Sequence, residues 1–480
     1  MVGKNILLML AIMYWCHAEM NSSVTLKVSP GWFPGIKNAS LTDTLDQYIG
    51  EWYALKADHE TVLAYENIPN MLEGIVQVQL DKKWDFYYNF MMRRDFEAWY
   101  DDNNGSNIFL NSDHFDINVP NHFYLSYGNN FIKAKSGRFP QRFGSGKNRG
   151  LVVSGAPWYD GILTILNFKK VHYTYYFASL NPYLTGAPGS PGASLPDTEW
   201  AVQSSSPLTT QKYRVYNEAS KSLIVQRLDY FGNSFQLSAM ESLVLGGKYP
   251  TLRDINPFMM WHNLYQDGYV NEIISLEAKY QLSPKTTFYT EAAFDDLIGG
   301  TENENTSSDV YSWLVAAVYN QPTDFGELSI TLEWIHTHEK YGNYALPLLQ
   351  WTSRQLYYSN FRKQGEPTFS DTYIIDYPIG YFRGAGNRDL WFDFSLENEN
   401  LTLQSSIGVL NKKISIDENS DKSSNEFRIQ STIINQLSEM VQIHSGGFYR
   451  SISNDNSTQN ESDWGLHAGI SIQLWQKKSP

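Results

Sequence analysis

Apolar and polar side chains alternate along most of the chain after residue 72, which is the period of a β-strand with two different faces. In residues 327–339, one face carries Leu328, Ile330, Leu332 and Trp334, and the residues between them are mostly polar. Similar segments recur to the end of the chain. Many are about ten residues long, which suits a tilted strand that crosses a bilayer.

This alternation predicts seventeen strands. They are placed at residues 73–81, 84–100, 122–127, 131–137, 161–168, 171–180, 221–230, 234–245, 270–282, 286–298, 309–320, 326–338, 388–397, 400–412, 425–436, 439–452 and 463–475. Because bacterial barrels normally have an even number of strands, we expect one more strand within residues 20–70.

The connections between these strands alternate between short and long. Short turns fall at 128–130, 169–170, 231–233, 283–285 and 398–400, and long polar connections at 181–220, 299–308, 339–387, 417–425 and 455–462. This alternation is typical of an outer-membrane barrel. The sequence therefore predicts an all-β fold, a transmembrane antiparallel β-barrel of about 18 strands with short periplasmic turns and long extracellular loops. A soluble, secreted β-rich protein that acts on glycans is the structural alternative.

The first eighteen residues have the pattern of an export signal. Lys4 precedes an apolar stretch at 6–15, and Cys16, His17 and Ala18 lead to a cleavage site before Glu19. Cys16 is the single cysteine, so no disulfide is expected. The expected organisation is a signal peptide, an N-terminal periplasmic segment that includes the first strand, the barrel and a C-terminal tail, at 1–18, 19–70, 71–475 and 476–480.

Composition narrows the class of protein. The chain has 32 Tyr and 14 Trp, and such rings concentrate at membrane interfaces and on sugar-binding surfaces. A net charge of −14 argues against a nucleic-acid partner, which would require a basic face. We therefore expect a protein of the Gram-negative outer membrane, in contact with membrane lipid and lipopolysaccharide.

Two predicted external loops carry candidate binding residues. The glycine-rich stretch 136–157 is cationic, and a loop of this kind is suited to an anionic sugar chain or to lipopolysaccharide phosphates. The stretch 343–367 is aromatic, and its rings are suited to stacking on sugars. The alternatives are a solvated loop paired with acidic residues and rings that pack over the barrel mouth. The candidates are Arg138, Arg142, Lys147, Arg149, Trp351, Tyr357, Tyr358 and Arg362.

The polar faces of the strands predict a lumen of mixed charge. Its expected lining residues are Lys133, Lys135, Glu277, Lys279, Glu291, Asp295, Glu327, Glu333, Asp393 and Glu397. Glu291 and Asp295 are four residues apart on one strand, which separates their Cα atoms by roughly 13 Å. That spacing is too large for a retaining glycosidase pair. We therefore expect no enzymatic activity. We also expect no cofactor and no metal site.

Five segments in order resemble the capsule-assembly (Wzi-type) outer-membrane protein family. They are "KSGRFPQRFGSGKNRGLVVSGAPWYDGILTIL", "DINPFMMWH", "LYQDGYVNEIISLEAKY", "TTFYTEAAFDDLIGG" and "DYPIGYFRGAGNRDLWFDFSL". The resemblance covers roughly residues 120–475. It implies an eighteen-stranded barrel that binds surface (capsular) polysaccharide in the manner of a lectin and assists capsule assembly. The alternative function is a general diffusion porin for small solutes or oligosaccharides. We expect a monomer.

Overall fold

The computed structural model contains the whole chain, and only part of it is described. The described residues are 20–32, 42–49, 52–57, 62, 65–66, 68–81, 83–101, 106–108, 116, 118, 122–144, 146, 149–180, 220–259, 270–296, 309–343, 349–359, 372–417, 420–454 and 461–477. The predicted signal peptide and most of the long loops lie outside them. Within these ranges, no helix has the length and apolar content needed to cross a membrane.

Eighteen antiparallel strands form one closed sheet. In chain order they are β1 Met20–Val28, β5 Leu72–Leu80, β6 Trp84–Met92, β7 His122–Gly128, β8 Ile132–Phe139, β9 Tyr159–Phe168, β10 Val171–Ser179, β11 Lys221–Phe231, β12 Phe235–Gly246, β13 Val270–Gln281, β14 Thr286–Asp296, β15 Val310–Thr323, β16 Gly326–Thr337, β19 Asn387–Glu397, β20 Leu401–Asp417, β21 Ser420–Ser438, β22 Val441–Asn454 and β23 Glu461–Lys477.

The remaining elements belong to the long connections. They are β2 Gly31–Trp32, β3 Thr42–Ile49, β4 Trp52–Ala57, the helix α1 Phe96–Asp101, β17 Thr352–Tyr358 and β18 Thr372–Pro378. β2 pairs with β23, while β17, β18, β4 and β3 form a separate four-stranded sheet in that order. In this sheet β18 is parallel to β4, and Tyr373 lies opposite Leu55.

The barrel closes through β1. This strand pairs with β5 on one side and with β23 on the other, so that Leu26 lies opposite both Gly74 and Ile472. β1 is the additional strand expected within residues 20–70. The predicted fold class is therefore confirmed, since every strand of the closed sheet has two neighbours and all backbone groups can pair inside a membrane.

Two regions differ from the sequence-based expectation. The predicted strand 84–100 ends at Met92, because the Asp95 carboxylate accepts hydrogen bonds from the backbone N–H of Glu97 and Ala98 and caps α1. Val28, the last residue of β1, lies opposite Leu72, the first residue of β5, at the end of the barrel where the long loops emerge. The connection between these two strands therefore begins and ends away from the short-turn end, where a periplasmic segment is expected.

The outer face of the barrel is an apolar belt. Exposed aliphatic side chains cover the middle of the strands, as at Leu228, Leu276, Val315, Leu332, Val409 and Leu466. Exposed rings mark the short-turn end, as at Phe131, Phe168, Tyr230, Phe235, Tyr280 and Phe325, and the loop end, as at Tyr311, Trp334, Tyr449 and Trp464. An apolar band between two aromatic girdles fits a bilayer. The protein is an outer-membrane β-barrel.

Candidate functional site: the inserted segment and the barrel mouth

The connection between β8 and β9 folds into the barrel and forms the centre of the candidate site. We call residues 140–157 the inserted segment; 145, 147 and 148 lie outside its described part. The segment doubles back on itself, because the Phe143 N–H donates to the Val153 carbonyl at 2.8 Å. The hydroxyl of Ser154 donates to the Gly150 carbonyl at 2.6 Å and fixes the returning arm.

Arg149 anchors the inserted segment to the far wall. Its Nη1 lies 2.6 Å from Asp393 Oδ2 and 2.5 Å from Glu333 Oε2, and its Nη2 donates to the Ser406 hydroxyl at 3.0 Å. The guanidinium carbon is 4.1 Å from the ring centroid of Trp391. Burial alone would lower the pKa of Arg149, but Asp393 and Glu333 raise it well above its usual value, so this anchor stays charged.

These contacts cross the whole lumen. Around the closed sheet β8 is the fifth strand and β19, which carries Asp393, is the fourteenth, so nine of eighteen steps separate them. Asp393 and Glu333 lie near the middle of their strands. On the wall between, the Leu151 N–H donates to Glu291 Oε1 at 3.1 Å. The inserted segment therefore spans the barrel at about half its height.

The described part of the mouth loop, residues 339–343, 349–359 and 372–386, contacts the inserted segment. The indole N–H of Trp351 donates to the Val152 carbonyl at 2.9 Å, and the Tyr341 hydroxyl donates to the Leu151 carbonyl at 3.2 Å. This loop also binds the barrel, because the N–H of Gly342 donates to Asp295 Oδ2 at 2.7 Å. The two loops thus form one assembly that is tied to the inner wall by polar contacts.

Connections near the N-terminus complete the mouth. The ring of Tyr65 packs against Phe96, Trp99 and Tyr357, with centroids 5.2 to 5.9 Å apart. Burial raises the pKa of Tyr65 well above its usual value, so the hydroxyl stays protonated and donates to the Arg94 carbonyl at 2.7 Å. The described connections at the loop end are therefore joined by packed rings.

A cavity of about 330 Å³ remains at the loop end. Charged residues line it together with aromatic ones, and they include Glu339, Tyr341, Trp351, Asp376, Tyr381, Arg383, Lys412 and Lys413. Glu339 Oε1 lies 2.8 Å from Lys413 Nζ, and both side chains are more than a third exposed. Its lining consists of mouth-loop residues together with Lys412 and Lys413, towards the loop end of β20.

The predicted polysaccharide-binding residues fall into three groups. Arg138 lies on the outer wall and Arg142 is exposed on the inserted segment. Arg149, Trp351 and Tyr357 are buried, at 6%, 3% and 4% exposure, because they hold the loops together. An external sugar chain does not reach them in this conformation. Lys147, Arg362 and the side chain of Tyr358 lie outside the described residues.

The predicted lumen residues lie on the inward faces of their strands at two levels. Away from the short turns, the side chains bind the loops or neighbouring strands: Glu277, Glu291, Glu333 and Asp393 are buried, and Asp295, at the loop end of β14, is half-buried. Nearer the short turns, four inward-facing side chains are exposed, namely Lys133, Lys279, Glu327 and Glu397. Lys135 lies between the levels, with its ammonium 4.2 Å from the ring centroid of Tyr124. The lower lumen is therefore open to water.

The sequence analysis missed a second buried ion cluster on the inner wall. Arg227 on β11 binds Glu277 on β13 with both terminal nitrogens and lies 2.8 Å from Asp229. The sequence does contain a signal for this cluster, namely the alternation of Val225, Arg227 and Asp229 with outward-facing residues. Like the Arg149 cluster, it joins one cation to two carboxylates. Among the described residues, no group of three or more His, Cys, Asp or Glu side chains is arranged to hold a metal ion.

No protein-family model matches the chain, and no curated protein sequence matches it. Among solved structures, the chain is similar to OccK3 (OpdO) of Pseudomonas aeruginosa, with 10% identity, coverage of 95% of this chain and 96% of that one, and a TM-score of 0.43. A BenF-like porin from Pseudomonas fluorescens Pf-5 has 9% identity, coverage of 95% and 99%, and a TM-score of 0.44. OccAB4 of Acinetobacter baumannii has 8% identity, coverage of 96% and 98%, and a TM-score of 0.40. The barrel itself is established by the strand pairing.

Proposed function

We propose that the protein is a narrow channel for small polar solutes, with the inserted segment as its constriction. The crossing of the lumen by residues 140–157 at mid-height, anchored through Arg149, is the observation that supports this proposal. Below the crossing, exposed charges such as Lys279 and Glu327 line a water-filled half of the barrel. A loop that narrows a hydrated lumen is the usual construction of a diffusion channel.

The charges at mid-height give the channel a preference for cations. Arg149 faces Glu333 and Asp393, and Arg227 faces Glu277 and Asp229, so each cluster has a formal charge of −1. A solute that passes the constriction moves between two acidic clusters. Because this region is shielded from bulk water, their field acts strongly on a passing ion.

The first experiment is single-channel conductance of refolded protein in a planar bilayer, compared with Arg149→Ala. We expect small cation-selective steps from the native protein and larger, noisier steps from Arg149→Ala, because the inserted segment loses its anchor on the far wall. Arg388→Ala is the matched control, since this exposed arginine lies on the outward face of β19. Its conductance should equal that of the native protein.

Electrical silence of both the native protein and Arg149→Ala, with folding shown by heat-modifiable migration, would contradict the channel. The second candidate function would then replace it. This function is retention of an acidic surface polysaccharide, as the resemblance to the capsule-assembly family implies. The accessible cavity that contains Lys412 and Lys413 favours it. Purified acidic polysaccharide should bind the native barrel in that case, and Lys412→Ala/Lys413→Ala should weaken the binding.

A further inference from the structure

The segment that follows β12 lies against the outer wall of the barrel. We call residues 247–259 the strap; the structure describes all of it and shows turns, with no strand or helix. Ile255 and Met259 of the strap pack against an apolar cluster on the wall. This cluster consists of four buried side chains on the outward faces of β11, β12 and β13, namely Ile224, Leu243, Leu245 and Val270.

The strap descends to the middle of the membrane belt. Gln226, at the centre of β11, donates from Nε2 to the Met259 carbonyl at 2.6 Å. It is four residues from Tyr230, whose ring marks the short-turn end of the belt, and four residues span about 14 Å along a strand. At a tilt of roughly 40° this is about 10 Å of height in an apolar band about 25 Å tall. Tyr173, nearer the short turn on β10, also donates to the Pro257 carbonyl.

The outer side of the strap is poorly suited to contact with lipid. Irregular backbone at this depth occurs only where protein or a water-filled cavity covers it, because its N–H and C=O groups find no partner in hydrocarbon. Leu252 and Phe258 of the strap are 85% and 81% exposed, the two highest values among the described large apolar side chains. The strap is therefore suited to contact with a second protein surface inside the membrane.

A trough lies beside the strap on the same wall. Its floor is the outward face of β8, where Ser136 and Ala134 are small, and its flanks are Leu125 of β7 and Ile162 of β9, both opposite Ser136. Two cavities of about 620 and 360 Å³ occupy the trough, and Ser136 and Ile162 line both. Phe177 of β10 lines the larger cavity and packs against the cluster beneath the strap. The trough and the strap are therefore contiguous.

The trough matches the strap in height and in chemistry. It runs from Arg138, at the loop end of β8, down to Ala134, and the strap runs from the loop end of β12 to the middle of the belt. At the top of the trough, Arg138 binds Asp160 through two hydrogen bonds of 2.8 Å, so these charges are already paired. The lining below them is mostly apolar. The trough therefore suits apolar side chains such as Leu252 and Phe258 rather than an ionic group.

We propose that two copies of this chain form a two-fold dimer in the membrane, with the strap of each copy in the trough of the other. Because the ridge and the matching trough lie on one chain, a second copy supplies the partner for both. A two-fold axis along the membrane normal keeps the heights equal and brings strap and trough together twice. Phe177, between the two surfaces, lies near this axis. The dimer differs from the monomer expected from the sequence and is independent of the proposed channel.

The test is cross-linking between two variants in vesicles. Cys16 is the single cysteine of the chain, so Ser136→Cys and Phe258→Cys are introduced separately into a Cys16→Ala background. The two purified variants are refolded, reconstituted together and treated with a short bismaleimide. We expect a cross-linked dimer from the mixture and none from either variant alone, because the strap of one copy contacts the trough of the other.

A pair of alanine substitutions tests the contact itself. Leu252→Ala/Phe258→Ala removes the side chains that enter the trough, so we expect loss of the dimer in native mass spectra of barrels extracted into mild detergent. Leu390→Ala/Phe392→Ala is the matched control, because it removes the same residue types from the exposed outward face of β19, across the barrel from β8. Its dimer fraction should equal that of the native protein. All variants are checked for heat-modifiable migration first.

Three outcomes would overturn the dimer. The first is a native protein that stays monomeric in vesicles, with no cross-link in the mixture. The second is efficient cross-linking of Ser136→Cys alone, which would place trough against trough. The third is equal loss of the dimer in both alanine pairs, because the contact would then not depend on the strap.

Discussion

Two glycines allow the mouth loop and the inserted segment to cross in direct contact. A Cβ atom at Gly380 would lie 2.1 Å from the carbonyl oxygen of Leu151, and one at Gly155 would lie 2.2 Å from that of Pro378. Both obstacles are backbone atoms and cannot rotate away. At this crossing, the backbone N–H groups of Ser154 and Gly155 both donate to the Ile379 carbonyl, at 2.7 and 3.0 Å.

Gly380→Ala should therefore separate the two loops and leave the barrel intact. Overpacking of this kind costs about 1–3 kcal/mol. Limited proteolysis should show faster cleavage within 339–386, while heat-modifiable migration is retained. Gly128→Ala is the control, because a Cβ there meets Lys133 Cγ at an ordinary 3.8 Å. Equal cleavage rates in both variants would show that the loops do not depend on this crossing.

At the scale of an element, the connection after β12 folds over the outside of the barrel. The hydroxyl of Tyr175, on the outward face of β10, donates to the Ile255 carbonyl at 2.8 Å. Asp254 fixes the start of this segment, because it accepts hydrogen bonds from the Thr251 N–H and hydroxyl, both at 2.8 Å. Lys248 Nζ lies 3.1 Å from the same carboxylate. The segment thus depends on one ionised aspartate.

Acid should loosen this segment. Burial raises the pKa of Asp254, but the hydrogen bonds from Thr251 and the charge of Lys248 outweigh it and lower the pKa below its usual value. A carboxyl group whose pKa is lowered on folding stabilises the folded state above about pH 4. This stabilisation is lost as the pH falls through the pKa of the folded state. Protection from hydrogen exchange within 248–259, expressed relative to the intrinsic exchange rate at each pH, should decrease below pH 4. In Asp254→Asn, this protection should already be low at pH 7 and should lose its pH dependence.

At the scale of the whole molecule, the membrane belt gives a direct test of the barrel's placement. Leu276 is 54% exposed in the middle of β13, and Leu282, which is 59% exposed, follows the last residue of this strand at the short-turn end. Leu276→Arg should lower the free energy of unfolding from vesicles by about 2–4 kcal/mol, and Leu282→Arg by about 0–1 kcal/mol, because the cost depends on depth. Urea titration of refolded protein measures both. Equal costs would contradict the assigned belt.

Local sequence determined most of the barrel. Strands such as β13 and β16 were predicted to within one residue at each end, because a wall with lipid outside and polar groups inside requires strict alternation. In the structure, Glu277 and Glu333 lie on the inward faces of these strands. The fold class and the membrane environment therefore follow from the pattern of side chains alone.

Tertiary structure decided how the lumen is used. Arg149 meets Glu333 and Asp393 across 184 and 244 residues of chain, and Tyr65 meets Tyr357 across 292. No local pattern encodes such pairs, and the prediction of sugar-binding loops therefore did not include the contacts that bury Arg149, Trp351 and Tyr357. The pattern was also insufficient at 93–101, where alternation alone predicts that the strand continues. In the structure the strand ends, because Asp95 caps a helix whose Phe96 and Trp99 are buried. Periodicity determines which face a side chain occupies, but only the folded chain determines what lies opposite.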